Sequence, residues 1–240
     1  ALSKHLEGTT VKADVAILYD YDSVWVLANQ SGYGGASFSE AVSRWSTALF
    51  RNGVNADIVA TSVDFSAYKV IVAPHLHVLP DAVAKRLNAF VKQGGVLLTD
   101  CRTGVKTETN LCHEHTLPGL LCESLGIRIE EYETLADSMR YPLKSSALSG
   151  TYAAARYVDW VTPESAEVLA GYEQWHMKDF AAVTKNRHGK GFGFYVGCLS
   201  RDEALYTDIM RTVLACAKVT AVVVPPEGVE VSIRENSKRR

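Results

Sequence analysis

The chain has 240 residues, of which 47% are hydrophobic, enough for one continuous core at the upper end of single-domain size. With 25 basic and 27 acidic residues its formal net charge is −2, a field too weak to gather nucleic acid or an anionic membrane surface. No stretch approaches the roughly 20 apolar residues of a membrane helix, and the opening ALSKHLEGTT lacks the apolar centre of a signal peptide, so the expected location is cytoplasmic.

Val15 to Tyr19 reads as a first strand, ending in the acidic tip Asp20-Tyr21-Asp22 with Trp25 just beyond it. Phe38, Ala41, Val42, Trp45, Ala48 and Leu49 then recur at helical spacing until Asn52-Gly53 stops the helix. Asp57 to Thr61 and Val70 to Ala73 are the next strands. Pro80-Asp81 starts a second helix carrying Val83, Leu87, Phe90 and Val91, which Gly94-Gly95 ends before a strand at Val96 to Thr99. Strands alternating with amphipathic helices require a mainly parallel sheet covered on both faces, the α/β class.

Cys101 to Pro118 is too long and polar for an ordinary connection, and loops of that size usually carry function. A short helix at Leu120 to Leu125 stops at Gly126. IRIEEYETL, RYVDWV, EVLAGY and AAVTKNRHGKGFGFYVG read as partly antiparallel strands added at one edge of the sheet, with a hairpin tip at Arg187 to Gly191. Ala204 to Ala217 has a clean helical period, and the sequence after it, split by Pro225-Pro226, reads as a linker into another strand.

Five cysteines, Cys101, Cys112, Cys122, Cys198 and Cys216, lack the paired spacing of a disulfide scaffold and read as reduced thiols. No glycine-framed nucleophile elbow surrounds Cys101 or Cys198. Gly32 to Gly35 and His188 to Gly193 lack dinucleotide and phosphate-loop spacing, so no cofactor is implied. His75-Leu76-His77 and Cys112-His113-Glu114-His115 could converge as metal ligands, but neither has a recognised zinc spacing and no metal is assigned. Asp20 with Asp22, at alternate strand positions, and Glu130 with Glu131 are possible acid–base pairs; adjacent Glu130 and Glu131 would point to opposite faces of a strand, as on a solvated edge. Lys238-Arg239-Arg240 reads as a solvated tail.

Four stretches in order resemble one family. Asp20 to Leu27 resembles its D-Y-[DE]-[NS]-x-W-x-L; Arg102 to Lys106 its R-[ST]-G-x-[KV] loop; Pro118 to Ile127 its P-G-x-L…L-G-I; and Thr184 to Gly197 its N-R-x-G-x-G-x-x-x-Y-x-G. The family is the middle, trimerisation domain of glycoside hydrolase family 42 β-galactosidases. Two departures are Thr107 to Asn110, where members often carry D-E-N, and Val24, which replaces a frequent second tryptophan.

The resemblance implies a flavodoxin-like or class I glutamine-amidotransferase-like three-layer sandwich, mainly parallel with antiparallel additions, that holds a homotrimer together. It also implies catalytic glutamates in a preceding (β/α)8 barrel, which by itself needs roughly 250 residues. Residues 1–14 are then expected to lead in from that barrel, 15–219 to form the domain, and 220–240 to open a following β domain. The parent would hydrolyse terminal β-D-galactosides with retention of configuration. No catalytic residue is expected within the chain. Asp20, Tyr21, Asp22, Trp25 and Arg102 become candidate contacts to a barrel of the same or a neighbouring subunit, closing its galactose pocket, and the VDWV and VLLTD segments become candidate exposed apolar patches. Two other readings stand beside this one: a self-sufficient hydrolase or amidotransferase relative using Cys101 or Cys198 with His75, His113 or His115, and a metal-binding module.

Overall fold

A computed structural model describes residues 3–30, 37–221, 223–226 and 228–236. The glycine group at 32–35 and the basic tail at 238–240 lie outside the described residues. In chain order the elements are α1 (Ser3–Leu6), β1 (Thr10–Val11), β2 (Val15–Tyr19), α2 (Tyr21–Asn29), α3 (Phe38–Arg51), β3 (Ala56–Ala60), β4 (Val70–Ala73), α4 (Asp81–Gln93), β5 (Val96–Asp100), α5 (Cys122–Leu125), β6 (Ile127–Thr134), β7 (Tyr141–Ser145), β8 (Tyr152–Pro163), β9 (Glu167–Tyr172), β10 (Ala181–His188), β11 (Gly191–Val196), β12 (Cys198–Ser200), α6 (Glu203–Cys216) and β13 (Arg234–Glu235). Among the described residues no helix is long and apolar enough to cross a membrane.

Strands β3, β2, β4, β5 and β11 run parallel in that spatial order, and β10 turns the sheet antiparallel through β9, β7, β8, β12 and β6, eleven strands in all. The parallel strands are apolar runs because helices cover both faces. Alternation along β2 divides the core: Val15 and Ile17 pack with Trp45, Leu49, Tyr206 and Ile209 under α3 and α6, whereas Ala16 and Leu18 pack with Leu87, Val91 and Leu97 under α4. Burying one such side chain contributes about 1.5–3 kcal/mol.

The antiparallel strands were expected at an edge, but they form the other half of the sheet. The hairpin β10–β11 inserts β11 directly beside β5, Phe194 opposite Leu98, so the added strands extend outward from the parallel core. Gly191 permits this insertion, since a Cβ there would collide with the Gly95 and Val91 carbonyl oxygens. Gly126 holds φ 64° at the end of α5, a left-handed cap that favours glycine, and a Cβ there would strike Asn186 and Ser165. VLLTD is wholly buried as β5, and VDWV lies inside β8 with only Trp160 partly exposed, so neither is an exposed patch. Both are interior because side chains pack on both faces of the sheet: Leu98 and Val158 join the cluster that contains Trp45 and Tyr206, and Leu97 and Val161 the one that contains Leu87 and Val91. The ends of the described chain meet where β1 pairs antiparallel with β13.

Candidate functional site

Open α/β sheets place ligands beyond the carboxyl ends of their parallel strands, where the strand order reverses. Here that crevice lies between the ends of β2 and β4. It is filled by the protein's own polar groups. Ser23 Oγ, on α2 after β2, accepts from the Val78 backbone N–H at 3.0 Å, bridging the crevice. The adjoining His77 Nδ1 donates to the Arg102 carbonyl oxygen at 3.1 Å, and burial beside the Arg102 guanidinium pulls the His77 ring down to about 3, so it is neutral.

Asp100 ends β5 fully buried. Its carboxylate accepts from Trp45 Nε1 at 2.8 Å, the His75 backbone N–H at 2.6 Å and His75 Nδ1 at 2.9 Å; the same Nδ1–H is shared with the Cys101 carbonyl oxygen at 2.9 Å. Burial acts to raise this carboxyl, but the His75 ring and the three donors outweigh it and hold it below the ordinary range. His75 has φ 40° and Arg102 φ 71°, left-handed conformations that cost energy in a residue with a Cβ and are held here by the Asp100 and His77 hydrogen bonds.

A second buried carboxylate, Asp159 on β8, accepts from Tyr157 at 2.6 Å and Tyr195 at 2.7 Å. Burial pushes it up to about 6, opposed by the two tyrosine hydroxyls and by Arg102. A third cluster stands further out, where Glu133 accepts from Tyr141 at 2.6 Å and lies 3.2 Å from His176 Nε2.

The expected site residues separate into three groups. Asp20 caps α2, accepting from Ser23 N at 2.8 Å. It therefore opens a helix, so Asp20 and Asp22 do not share a strand face; the local N-cap hydrogen bond overrides the apolar run that reads as extended. Tyr21 and Trp25, one helical turn apart, stand 63% and 59% exposed with their rings 6.0 Å apart. Asp22 is exposed. Arg102 is not a surface residue: its turn tucks the side chain to 7% exposure, with the guanidinium 5.8 Å from the Tyr132 and Tyr157 rings. Glu130 and Glu131 are both exposed, because a bulge between Ile129 and Tyr132 breaks the alternation that would have separated them.

The cysteine and histidine candidates do not form a reactive pair. Burial holds the Cys101 thiol well up and pushes Cys198 to about 12, so neither supplies a thiolate, and His75 meets the Cys101 carbonyl rather than its sulfur. His113 Nε2 bonds the Leu79 carbonyl at 3.1 Å while Cys112 is exposed, and the described residues contain no grouping of three metal-ligating side chains. The Asp100–Trp45 and Asp159–Tyr195 contacts escaped the sequence reading, although an aspartate inside an otherwise apolar strand, as in VLLTD and VDWV, is the signal for a buried, hydrogen-bonded carboxylate.

Asp100, His77 and Ser23 at the centre thus hydrogen-bond to loops and helices of the domain itself. The family described as "Beta-galactosidase trimerisation domain" matches residues 13–220. The chain belongs to this family. The trimerisation domain is 30% identical over 235 residues to β-galactosidase BgaA of Clostridium cellulovorans, covering 98% of this chain and 35% of that protein. It is 32% identical over 238 residues to β-galactosidase BglY of Alicyclobacillus acidocaldarius, covering 95% and 34%. The crystal structure of the β-galactosidase from Bacillus circulans sp. alkalophilus superposes with a TM-score of 0.92 at 28% identity, over 98% of this chain and 36% of that one. The domain therefore spans about a third of the length of the relatives it matches.

Proposed function

We propose that this trimerisation domain is a non-catalytic assembly segment of a cytoplasmic β-galactosidase, whose full-length form hydrolyses terminal β-D-galactosides with retention. The observation that carries the reading is the family match over residues 13–220, together with relatives named as β-galactosidases of which the chain covers about a third. The catalytic carboxylates then belong to a barrel outside residues 15–219, reached through 1–14, with 220–240 leading to a further β domain. The parallel strands in the order second, first, third, fourth, last support a flavodoxin-like, amidotransferase-like sandwich.

The contact face is the rim of the carboxyl edge. Tyr21 and Trp25 on α2 and Leu111 in the long loop, 66% exposed, supply apolar surface. Arg102 contributes from inside, fixing the loop that the His77 bond ties back toward α2. This rim packs on a barrel of the same or a neighbouring subunit in a homotrimer and closes its galactose pocket. Light scattering of the native-length protein should give a trimer for the wild type and smaller species for Trp25→Asp, with a raised KM for a chromogenic galactoside in Asp20→Ala and Arg102→Ala. Unchanged assembly and KM in all three variants would reject the contact face. Turnover of the galactoside by residues 1–240 alone, abolished by a substitution within them, would reject the non-catalytic reading.

A further inference from the structure

A cleft of about 420 Å³ opens between α3 and α6, on the side of the sheet away from α4, and its wall is one face of α3: Glu40, Ser43, Arg44 and Thr47 recur at the spacing that aligns side chains on a helix. Opposite stand Glu203 and Tyr206 of α6, and Leu199 forms part of the floor.

The charges in this cleft do not cancel. Arg156 pairs with Glu40 at 3.5 Å, Arg201 pairs with Asp137 at 2.9 Å, and Glu203 is taken by Arg51. Arg44 remains. Its guanidinium lies over the Tyr206 ring at 4.8 Å, it makes no hydrogen bond or ion pair among the described residues, and its Nη1 is buried without a partner. A partly buried guanidinium normally finds an anion or a carbonyl, because it gives up hydration and recovers it only through charge-assisted hydrogen bonds. Stacking on an aromatic ring fixes the plane of the group and leaves its edge for a planar, two-oxygen acceptor. Around that edge the cleft offers hydroxyl groups from Ser43 and Thr47 and the remaining lone pairs of the ion-paired Glu40 and Glu203 carboxylates, over a buried floor that includes Leu199.

We propose that this cleft binds a small polyhydroxylated carboxylate of the sugar-acid class. The ligand's carboxylate sits on Arg44, its hydroxyls donate to Glu40 and Glu203 and exchange hydrogen bonds with Ser43 and Thr47, and its carbon chain lies over Leu199. A simple inorganic anion would satisfy Arg44 but would not engage the lone pairs that Glu40 and Glu203 retain beyond their arginine pairs. A neutral polyol would use the acceptors and leave the guanidinium uncompensated. The inference concerns a site separate from the rim and does not rest on the assembly reading.

Isothermal titration of the native-length protein with sodium gluconate, sorbitol and sodium propionate tests it. Gluconate should bind at least tenfold more tightly than either of the others. Arg44→Met should weaken gluconate at least tenfold. Thr47→Glu should do the same by placing a carboxylate three residues from Arg44, and it should raise Tm, so a fold that tolerates the second variant keeps the test alive if the first does not fold. Equal affinity for gluconate and propionate, absence of gluconate binding, or gluconate binding that survives Thr47→Glu would each overturn the proposal.

Discussion

Two regions at the carboxyl edge of one sheet treat their side chains in opposite ways. At the centre, Asp100 and Asp159 are 2% and 3% exposed, and each carboxylate is held by donors: Trp45 and His75 from other elements for the first, Tyr157 of its own strand and Tyr195 of β11 for the second. At the rim, Tyr21, Trp25 and Leu111 expose large apolar faces, and the Asp20 cap of α2 is a local contact three residues long. The centre spends buried polarity on long-range order, where an unmet donor costs about 1–3 kcal/mol. The rim leaves apolar area in water, where it gains only when something covers it. The difference teaches that the edge which serves catalysis in many α/β enzymes is here divided into a locked interior and a free margin.

The largest expected effect breaks the centre. Asp100→Ala strands the Trp45 indole N–H, the His75 N–H and the His75 ring together, and should cost about 1–3 kcal/mol for each buried donor left unmet. Urea denaturation measures it, and a loss below about 1 kcal/mol would mean that the network does not hold the loops.

Asp159 sharpens the comparison through pH. Burial raises it in the folded state to about 6, above the ordinary aspartate value of 3.8, so the native state binds the proton more tightly. The resulting contribution is fully present below the unfolded value and is lost as pH rises through about 6, a change of about 3 kcal/mol. Asp100 works in the opposite sense: its lowered value gives stability that is present above the ordinary carboxylate range and lost on acidification. Denaturation of wild type and Asp159→Asn at pH 4 and pH 7 should show the variant gaining on the wild type at the higher pH. Parallel profiles would contradict this.

Asp20→Ala should cost about 1 kcal/mol through loss of the α2 cap, read from the same melts. Smallest of all on stability, Trp25→Ala should stay within about 0.5 kcal/mol, because its ring is mostly in solvent, while the mass of the native-length assembly falls. A large stability loss there would place Trp25 with the centre rather than the rim.

Much of the parallel half was legible. Val15–Tyr19 and Val70–Ala73 stand where their apolar runs predict them, α3 ends at Asn52 and α4 at Gly94 as their turn residues dictate. The tip reads as extended because Asp20 both ends a strand run and caps α2, and periodicity does not say which role wins. Arg102 was read as a loop contact, since nothing in R-T-G-V-K reveals that φ 71° turns the side chain onto two tyrosines from β6 and β8. Strand β7, Tyr141–Ser145, has no counterpart in the sequence reading; it pairs with β8 on one side and β9 on the other, and the Pro142 carbonyl accepts from the Glu173 N–H.

The sequence by itself determined the α/β class, the succession of strands and helices through Val96–Thr99, the helix stops and, through its motifs, the family resemblance, because apolar period, caps and glycine turns are local properties of the chain. Only the tertiary structure decided that β11 enters beside β5, that Asp100 reaches Trp45 across 55 positions, and that among the described residues Arg44 Nη1 has no hydrogen-bond partner while Arg156 and Arg201 are paired. Those outcomes depend on which distant groups compete for the same buried donors, and a competition of that kind is settled by packing in three dimensions rather than by spacing along the chain.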